Sequence, residues 1–192
     1  EQDEWNDWKN RTRKLKKEMF IMKLKNNIFT TLLLAIGFIL HQITPGILGG
    51  MKFDFLLSFM FVSLLLNSKL ENAVLAGLLA GLLSAMTTTF PGGQIPNIID
   101  KVATCLILYF VIKYISKFKI NPVIIGLIGA LGTFISGTIF LGTAALIIGL
   151  PVSMKMLIIT VVIPTTIING IGTVFVYGVT KKAIKLSGIA MH

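Results

Sequence analysis

Beyond residue 25 the chain almost lacks acid: Asp54, Glu71 and Asp100 are the only carboxylates among the last 167 residues, beside ten lysines and no arginine. A soluble domain gives about a quarter of its residues to charge, so this stretch has no water-facing surface to cover itself with. Cysteine is also scarce. Cys105 stands alone in an apolar run, which excludes a disulfide framework and leaves a buried, inert thiol as the expectation. His41 and His192 are the only imidazoles, too few for a dedicated metal site. There is no G-x-x-x-x-G-K-[ST] phosphate loop, no H-E-x-x-H, no C-x-x-C and no G-x-S-x-G. Gly126, Gly129 and Gly132 lack the dinucleotide spacing and fall inside an apolar segment. An enzyme is therefore not expected and no cofactor is called for. Transport, binding or structural work in a membrane remains.

What is present is apolar: 54% of the 192 residues, with a mean hydropathy of +0.84. The net charge of +10 then belongs to a membrane interface rather than to nucleic acid. Polar and Pro/Gly punctuation leaves six apolar segments, at residues 28–43, 53–66, 73–90, 98–115, 122–150 and 156–179. About 20 residues of helix cross a hydrocarbon core. Backbone groups in lipid must be satisfied within the protein, and these unbroken runs do not alternate as barrel strands do. The expectation is an all-α membrane protein, a bundle of six transmembrane helices. The second segment is short and is expected to borrow residues from Gly50 onward; the fifth is long enough to tilt or to break near Gly142. Fifteen Lys and Arg fall on one side of this cut, while Lys52, Lys101 and Lys155 fall on the other, which predicts both termini in the cytoplasm.

Residues 1–21 stand apart from residues 22–185. The first 25 residues hold half of all the charged side chains. Trp5, Trp8, Thr12, Leu15, Met19 and Met22 recur at alternating steps of three and four, with most of the basic residues off that stripe. A basic amphipathic helix lying on anionic lipid fits the pattern; so does a solvated appendage foreign to the membrane domain.

Small residues recur every four positions in the third segment: Ala73, Gly77, Gly81 and Ala85, and again Ala76, Ala80, Ser84 and Thr88. Gly129, Thr133 and Gly137 repeat the spacing in the fifth. Such strips let helix backbones approach in lipid, and tight packing is their first reading. Thr31 and Ala35, followed by Gly37, form a smaller strip on the first helix that faces either this bundle or another subunit.

The residues with chemistry gather at the non-cytoplasmic end. Two loops there, Pro45 to Lys52 and Pro91 to Asn97, lie beside Asp54, Asp100 and Lys101. Pro96 suits a first helical turn. Asn97, Asp100 and Thr104 then share one face of the fourth helix. Asp100 near a helix N-terminus is favoured by the macrodipole. Alternatively it holds a substrate ammonium group while Lys101 or Lys52 meets a carboxylate. Phe90 offers an aromatic wall, and Gln94 or Asn97 an acceptor. Lys52 and Asp54 also read as plain interface residues. On the sixth helix Pro164 disturbs the backbone ladder near Thr160, and Asn169, on a face with Thr166 and Thr173, needs a partner in another helix or in a ligand.

Gly49-Gly50-Met51-Lys52 and, above all, Phe90-Pro91-Gly92-Gly93-Gln94-Ile95-Pro96-Asn97-Ile98-Ile99-Asp100-Lys101 resemble the bacterial tryptophan transport protein family, from about Met22 to Val179. That family is counted among the substrate-binding S components of energy-coupling factor transporters. The resemblance implies a six-helix subunit of the bacterial plasma membrane that takes tryptophan at its outer face under a lid formed by the first loop. It also implies a partner module, one membrane coupling protein with two ATPases, that drives the bundle to reorient. The missing phosphate loop agrees with that division of labour. Where S components often carry Ala-x-x-x-Ala on helix one, this chain has Thr31-x-x-x-Ala35. Tryptophan needs an acid, a base or helix N-terminus, an acceptor for its indole N–H, and apolar walls. Phe90, Gln94, Asn97, Asp100 and Lys101 supply these, with Lys52, Thr104 and Asn169 in support. A stand-alone secondary carrier, an S component for another small heterocyclic nutrient, and a non-transporting scaffold are the competing readings.

Overall fold

The computed structural model describes residues 2–46, 50–115 and 120–187. Ile47, Leu48 and Gly49 of the expected lid, Lys117 and Lys119 of the basic count, and His192 lie outside the described residues. Among those described there are no strands. The helices are α1 (Gln2–Ile43), α2 (Leu56–Leu66), α3 (Leu70–Thr87), α4 (Gln94–Ile115), α5 (Pro122–Ile147), α6 (Met154–Leu157) and α7 (Ile163–Ser187). A π-helical segment, Ile158–Val162, joins α6 to α7 without a break in the coil. Five helices are long and apolar enough to cross a membrane: α1, α3, α4, α5 and the composite Met154–Ser187. Their outward faces carry Leu32, Ile36, Phe110, Leu127, Phe134, Ile171 and Phe175, all exposed as lipid contact requires. This is an all-α membrane protein.

The helix of the basic N-terminal segment is continuous with the first span, with no break at the boundary near residue 22. α1 runs through it for 42 residues, about 63 Å at 1.5 Å per residue. No Pro or Gly near Phe20 to Asn27 would stop it. Trp5, Trp8, Leu15 and Met19 are exposed along this extension.

The second segment differs more. It does not borrow helix from Gly50 onward. α2 has only 11 residues, about 16 Å of rise, roughly half a hydrocarbon core of about 30 Å. Residues 51–55 are not helical. They are held instead by side chains: the Asp54 carbonyl accepts from Asn169 Nδ2 at 2.8 Å, and the Asp54 carboxylate is ion-paired to α4. Irregular backbone is tolerated in a membrane protein where it lines a cavity. α2 is apolar on every side because it is the central rod. Leu56 to Leu64 are all buried, and the helix touches α1, α3, α4, α5 and α7.

The small-residue strip of α3 packs on α4. A Cβ placed on Gly77 would lie 3.0 Å from Val102 Cα, and one on Gly81 3.0 Å from Ile98 Cα. α5 packs on α7 in the same manner, with Gly129 against Thr173 and the Asn169 carbonyl. α5 does not break at Gly142 but continues to Ile147. On α1, Gly37 is buried against Phe59, whereas Thr31 and Ala35 face outward.

At the end opposite the 51–55 segment, Asn72 ties three helices together. It accepts from Thr30 Oγ1 at 2.6 Å and donates to the carbonyls of Ser63 (3.1 Å) and Asn67 (2.8 Å). Asn72→Ala strands a buried hydroxyl and removes a donor from the Asn67 carbonyl, while the Ser63 carbonyl keeps the Asn67 N–H. Each unsatisfied buried group costs about 1–3 kcal/mol, so a clear fall in the melting temperature of detergent-solubilised protein is expected; an unchanged melting curve would mean that water replaces the amide there.

Candidate functional site

Where α1 ends, α2 begins, α3 ends and α4 begins, the bundle holds an open-mouthed cavity. Gly50, Met51, Lys52 and Asp54 form one wall, Thr88 to Phe90 a second, and Asn97, Asp100 and Lys101 of α4 a third. α5 contributes Thr133, Ser136 and Phe140 at helical spacing, and the last span contributes Val161, Val162 and Thr165. The π-turn sets that last group. Pro164 has no N–H and its ring would crowd the carbonyl of Thr160 in a regular helix. The backbone widens at Ile158–Val162 instead, and Val161 and Val162 are the residues it turns toward the cavity. π-bulges of this kind recur at functional sites.

The turn between α3 and α4 is fixed by contacts that leave no room for side chains. Thr89 Oγ1 donates to the Gly50 carbonyl at 2.5 Å. Gly50 adopts φ +81°, and a Cβ on it would fall 2.5 Å from the Thr89 carbonyl oxygen. Only glycine fits where two loops touch in that conformation. Asn97 Nδ2 donates to the Gly93 carbonyl at 2.8 Å, closing the first turn of α4.

Four charged or titratable side chains meet at the cavity floor. Lys101, 2% exposed, puts Nζ 2.5 Å from Asp100 Oδ2 and 2.7 Å from Asp54 Oδ2. Thr104 Oγ1 donates to Asp100 Oδ1 at 3.1 Å, so both oxygens of that carboxylate are engaged. His41 Nδ1 approaches Asp54 Oδ1 to 3.2 Å but is not aligned as a hydrogen bond, and both atoms are buried without a hydrogen-bond partner. In the same cavity, Phe90 and Phe140 meet edge to face, with ring centroids 5.3 Å apart and planes at 82°.

The structure brings Phe90, Asn97, Asp100, Lys101 and Lys52 together around this cavity. Thr104 and Asn169 are buried but do not line it: Thr104 holds Asp100, and Asn169 holds the Asp54 carbonyl and Thr133 Oγ1, the latter at 3.2 Å. Gln94 opens α4 exposed and outside the lining, since the turn that buries Asn97 points its own first residue outward. Lys101, counted by its place in the sequence among outer-loop lysines, is a core residue and says nothing about an interface. His41, Asp54, Ser136 and Phe140 are among the other lining residues. Among the described residues no group of three or more His, Cys, Asp or Glu could hold a metal ion.

The tryptophan transporter TrpP family model matches residues 23–185. A "probable tryptophan transport protein" of Clostridium acetobutylicum is 47% identical over 166 residues, covering 86% of this chain and 96% of that one. Proteins of the same description from Clostridium perfringens (38% over 181 residues, 88% and 100% covered) and Bacillus subtilis (37% over 166 residues, 86% and 96% covered) are also similar. No solved structure matches. The chain thus belongs to the tryptophan transporter TrpP family, whose members are transport proteins and not enzymes.

Proposed function

We propose that this chain is the substrate-binding membrane subunit for tryptophan uptake, and that the cavity between α1, α3, α4 and α5 receives the amino acid. The observation that carries the reading is a buried cluster of two carboxyl groups sharing one lysine, in the same cavity as an aromatic pair at one end of the bundle. An ionisable group at membrane depth marks a substrate or ion path by default, and a binding site is concave, mostly apolar and furnished with few polar groups. The indole lies against Phe90 and Phe140. The ammonium group meets the acids. Lys101 already serves two carboxylates, so Lys52, half-buried in the wall, meets the ligand's carboxylate. Asn97 completes the polar contacts, while Thr104 and Asn169 position the groups that touch the ligand.

In this reading residues 22–185 are the transport domain and residues 1–21 a basic extension on the cytoplasmic side. α2 together with residues 51–55 makes the sixth crossing, both termini are cytoplasmic, and the cavity opens outward from the plasma membrane. Lys23, Lys25, Lys69, Lys113 and Lys181 at the opposite end support that orientation. Inward delivery follows a reorientation driven by an energy-coupling module of one membrane protein and two ATPases, because the chain has no phosphate loop of its own.

Calorimetric titration of purified protein with tryptophan tests the reading. Saturable binding is expected. Phe140→Ala should weaken it by about tenfold, the worth of one aromatic contact beyond area burial. Well-folded protein that binds no tryptophan overturns the proposal. Uptake by vesicles holding this protein alone, abolished by an ionophore, would replace the ATPase module with an ion gradient.

A further inference from the structure

We propose that the N-terminal extension of α1 and the bundle end from which it projects form a seat for a second protein, one that presents a helix apolar along one face and acidic along its flanks. The seat lies at the end away from the cavity and does not depend on how the cavity is read. Its ground is the register of α1. At 3.6 residues per turn, residues about 18 positions apart, five turns, point the same way. Trp8, Thr12, Leu15 and Met19 thus point as Asn26, Thr30, Leu33 and Gly37 do. Asn26, Thr30 and Leu33 are buried in the bundle, and Gly37 is packed on Phe59. Lys23, five turns after Trp5, reaches Glu71 of α3 at 2.6 Å on that same side. The lipid side continues differently. Ile28, Leu32 and Ile36 are exposed there, and five turns before them stand Asn10, Lys14 and Glu18.

The extension therefore holds Trp5, Trp8, Leu15 and Met19, each more than half exposed, in a row facing the space beneath the bundle's own end. Helices are stabilised mainly by packing their apolar face, and tryptophans are frequent anchors of protein interfaces. Three occupants compete for the row. The bilayer is on the wrong side, because the lipid-facing side of the coil continues as polar residues and α1 has no break that would fold the row onto a membrane. A second copy meets a steric conflict. A two-fold pair uses the same patch on both molecules. Were the two rows to face one another, each bundle, lying on its own row's side, would occupy the place of the other. A different protein has neither difficulty, and its charge follows from that of the seat. Residues 9–25 carry eight Lys and Arg against Glu18 alone. Lys9, stacked on the Trp5 ring, and Lys16 border the row, while Glu71 is taken by Lys23. An amphipathic helix lays its apolar face into such a groove, and acids on its flanks steer the encounter with this basic rim.

Site-specific photo-cross-linking of the full chain in its native cell tests the seat. The photoreactive residue p-benzoylphenylalanine replaces Trp8 or Leu15 on the row, and Asn10 or Lys14 on the opposite side, one position at a time. Illumination should join the Trp8 and Leu15 positions to one other protein, through a peptide with apolar residues at helical spacing and Asp or Glu beside them. The Asn10 and Lys14 positions should not reach it. With the probe at Leu15, Trp5→Ala should lower the yield about tenfold or more, the loss expected at an interface tryptophan. Lys9→Glu with Lys16→Glu should abolish the adduct, and Lys9→Arg with Lys16→Arg should keep it. None of these side chains is buried in the bundle, so melting curves and tryptophan titrations of the purified variants should match wild type. An adduct with lipid alone, with another copy of this chain, or with nothing overturns the inference, and so does one indifferent to the charge reversal. Absence of tryptophan binding in the unaltered protein would instead overturn the proposed function and leave the seat standing.

Discussion

Lys101→Met is expected to lower the stability of this protein more than any other single substitution at the cavity. The ammonium group lies between two carboxylates in a site from which bulk water is nearly excluded. Removing it leaves Asp54 and Asp100 facing one another without their shared cation. Breaking a buried ion pair by deleting one partner typically costs about 3–5 kcal/mol, because the remaining charge keeps its desolvation penalty and loses its compensation. Two stranded acids place this case toward the upper end, unless one of them takes up a proton. The charge-balanced pair Lys101→Met with Asp100→Asn tests that argument. It removes one acid along with the lysine, and it should recover much of what the single variant loses, a coupling within the range of about 0.5–3 kcal/mol seen for groups in contact. Melting curves of the two variants in detergent decide the matter. A single variant as stable as wild type would mean that the triad is solvated and not a buried unit.

Much of that triad was legible in the sequence. Asp100 and Lys101 stand at the mouth of an apolar helix, in a motif with Pro96 at its first turn, and Asn97, Asp100 and Thr104 share a face at helical spacing. Their burial against α3 follows from the small-residue strip on that helix. Asp54 was legible as a residue of that end, but its ion pair with Lys101 and its approach to His41 were not, because they depend on how α2 begins. The run from Phe53 to Leu66 is continuous in hydropathy, and nothing in its composition separates a helix starting at Gly50 from one starting at Leu56. Only its shortness, with an acid near its start, hinted at a span completed by other means. Thr133, Ser136 and Phe140 lie at steps of three and four on α5, a pattern visible in sequence but overshadowed by the Gly129–Thr133–Gly137 spacing. Pro164 announced a disturbed ladder in the last span; that it relaxes as a π-turn is settled by packing against the cavity. Local rules located the residues on their helices. Tertiary contacts, chiefly the hold of Asn169 on the Asp54 backbone, decided which of them meet.

Gly81→Leu is expected to disable binding through the backbone and not through any contact with a ligand. A Cβ at this position would stand 3.0 Å from Ile98 Cα and 3.3 Å from the Ile98 carbonyl oxygen. Both belong to main chain, which cannot rotate aside as a side chain can. Forcing extra atoms into such a seam typically costs about 1–3 kcal/mol and moves the backbone. The part of α4 that moves is its first two turns, which carry Asn97, Asp100 and Lys101 into the cavity. The folded fraction should therefore lose tryptophan affinity by more than the stability change alone explains. Gly142 on α5 supplies the comparison, since a Cβ there meets nothing within 4 Å. Gly142→Leu should leave the melting temperature near that of wild type, or raise it slightly through the better helix propensity, worth about 1 kcal/mol. Tryptophan titration of both variants, at a temperature where each is folded, separates the two effects. Equal affinities in the two would mean that α4 is positioned by its own turn at Gly93, independently of how closely α3 approaches it.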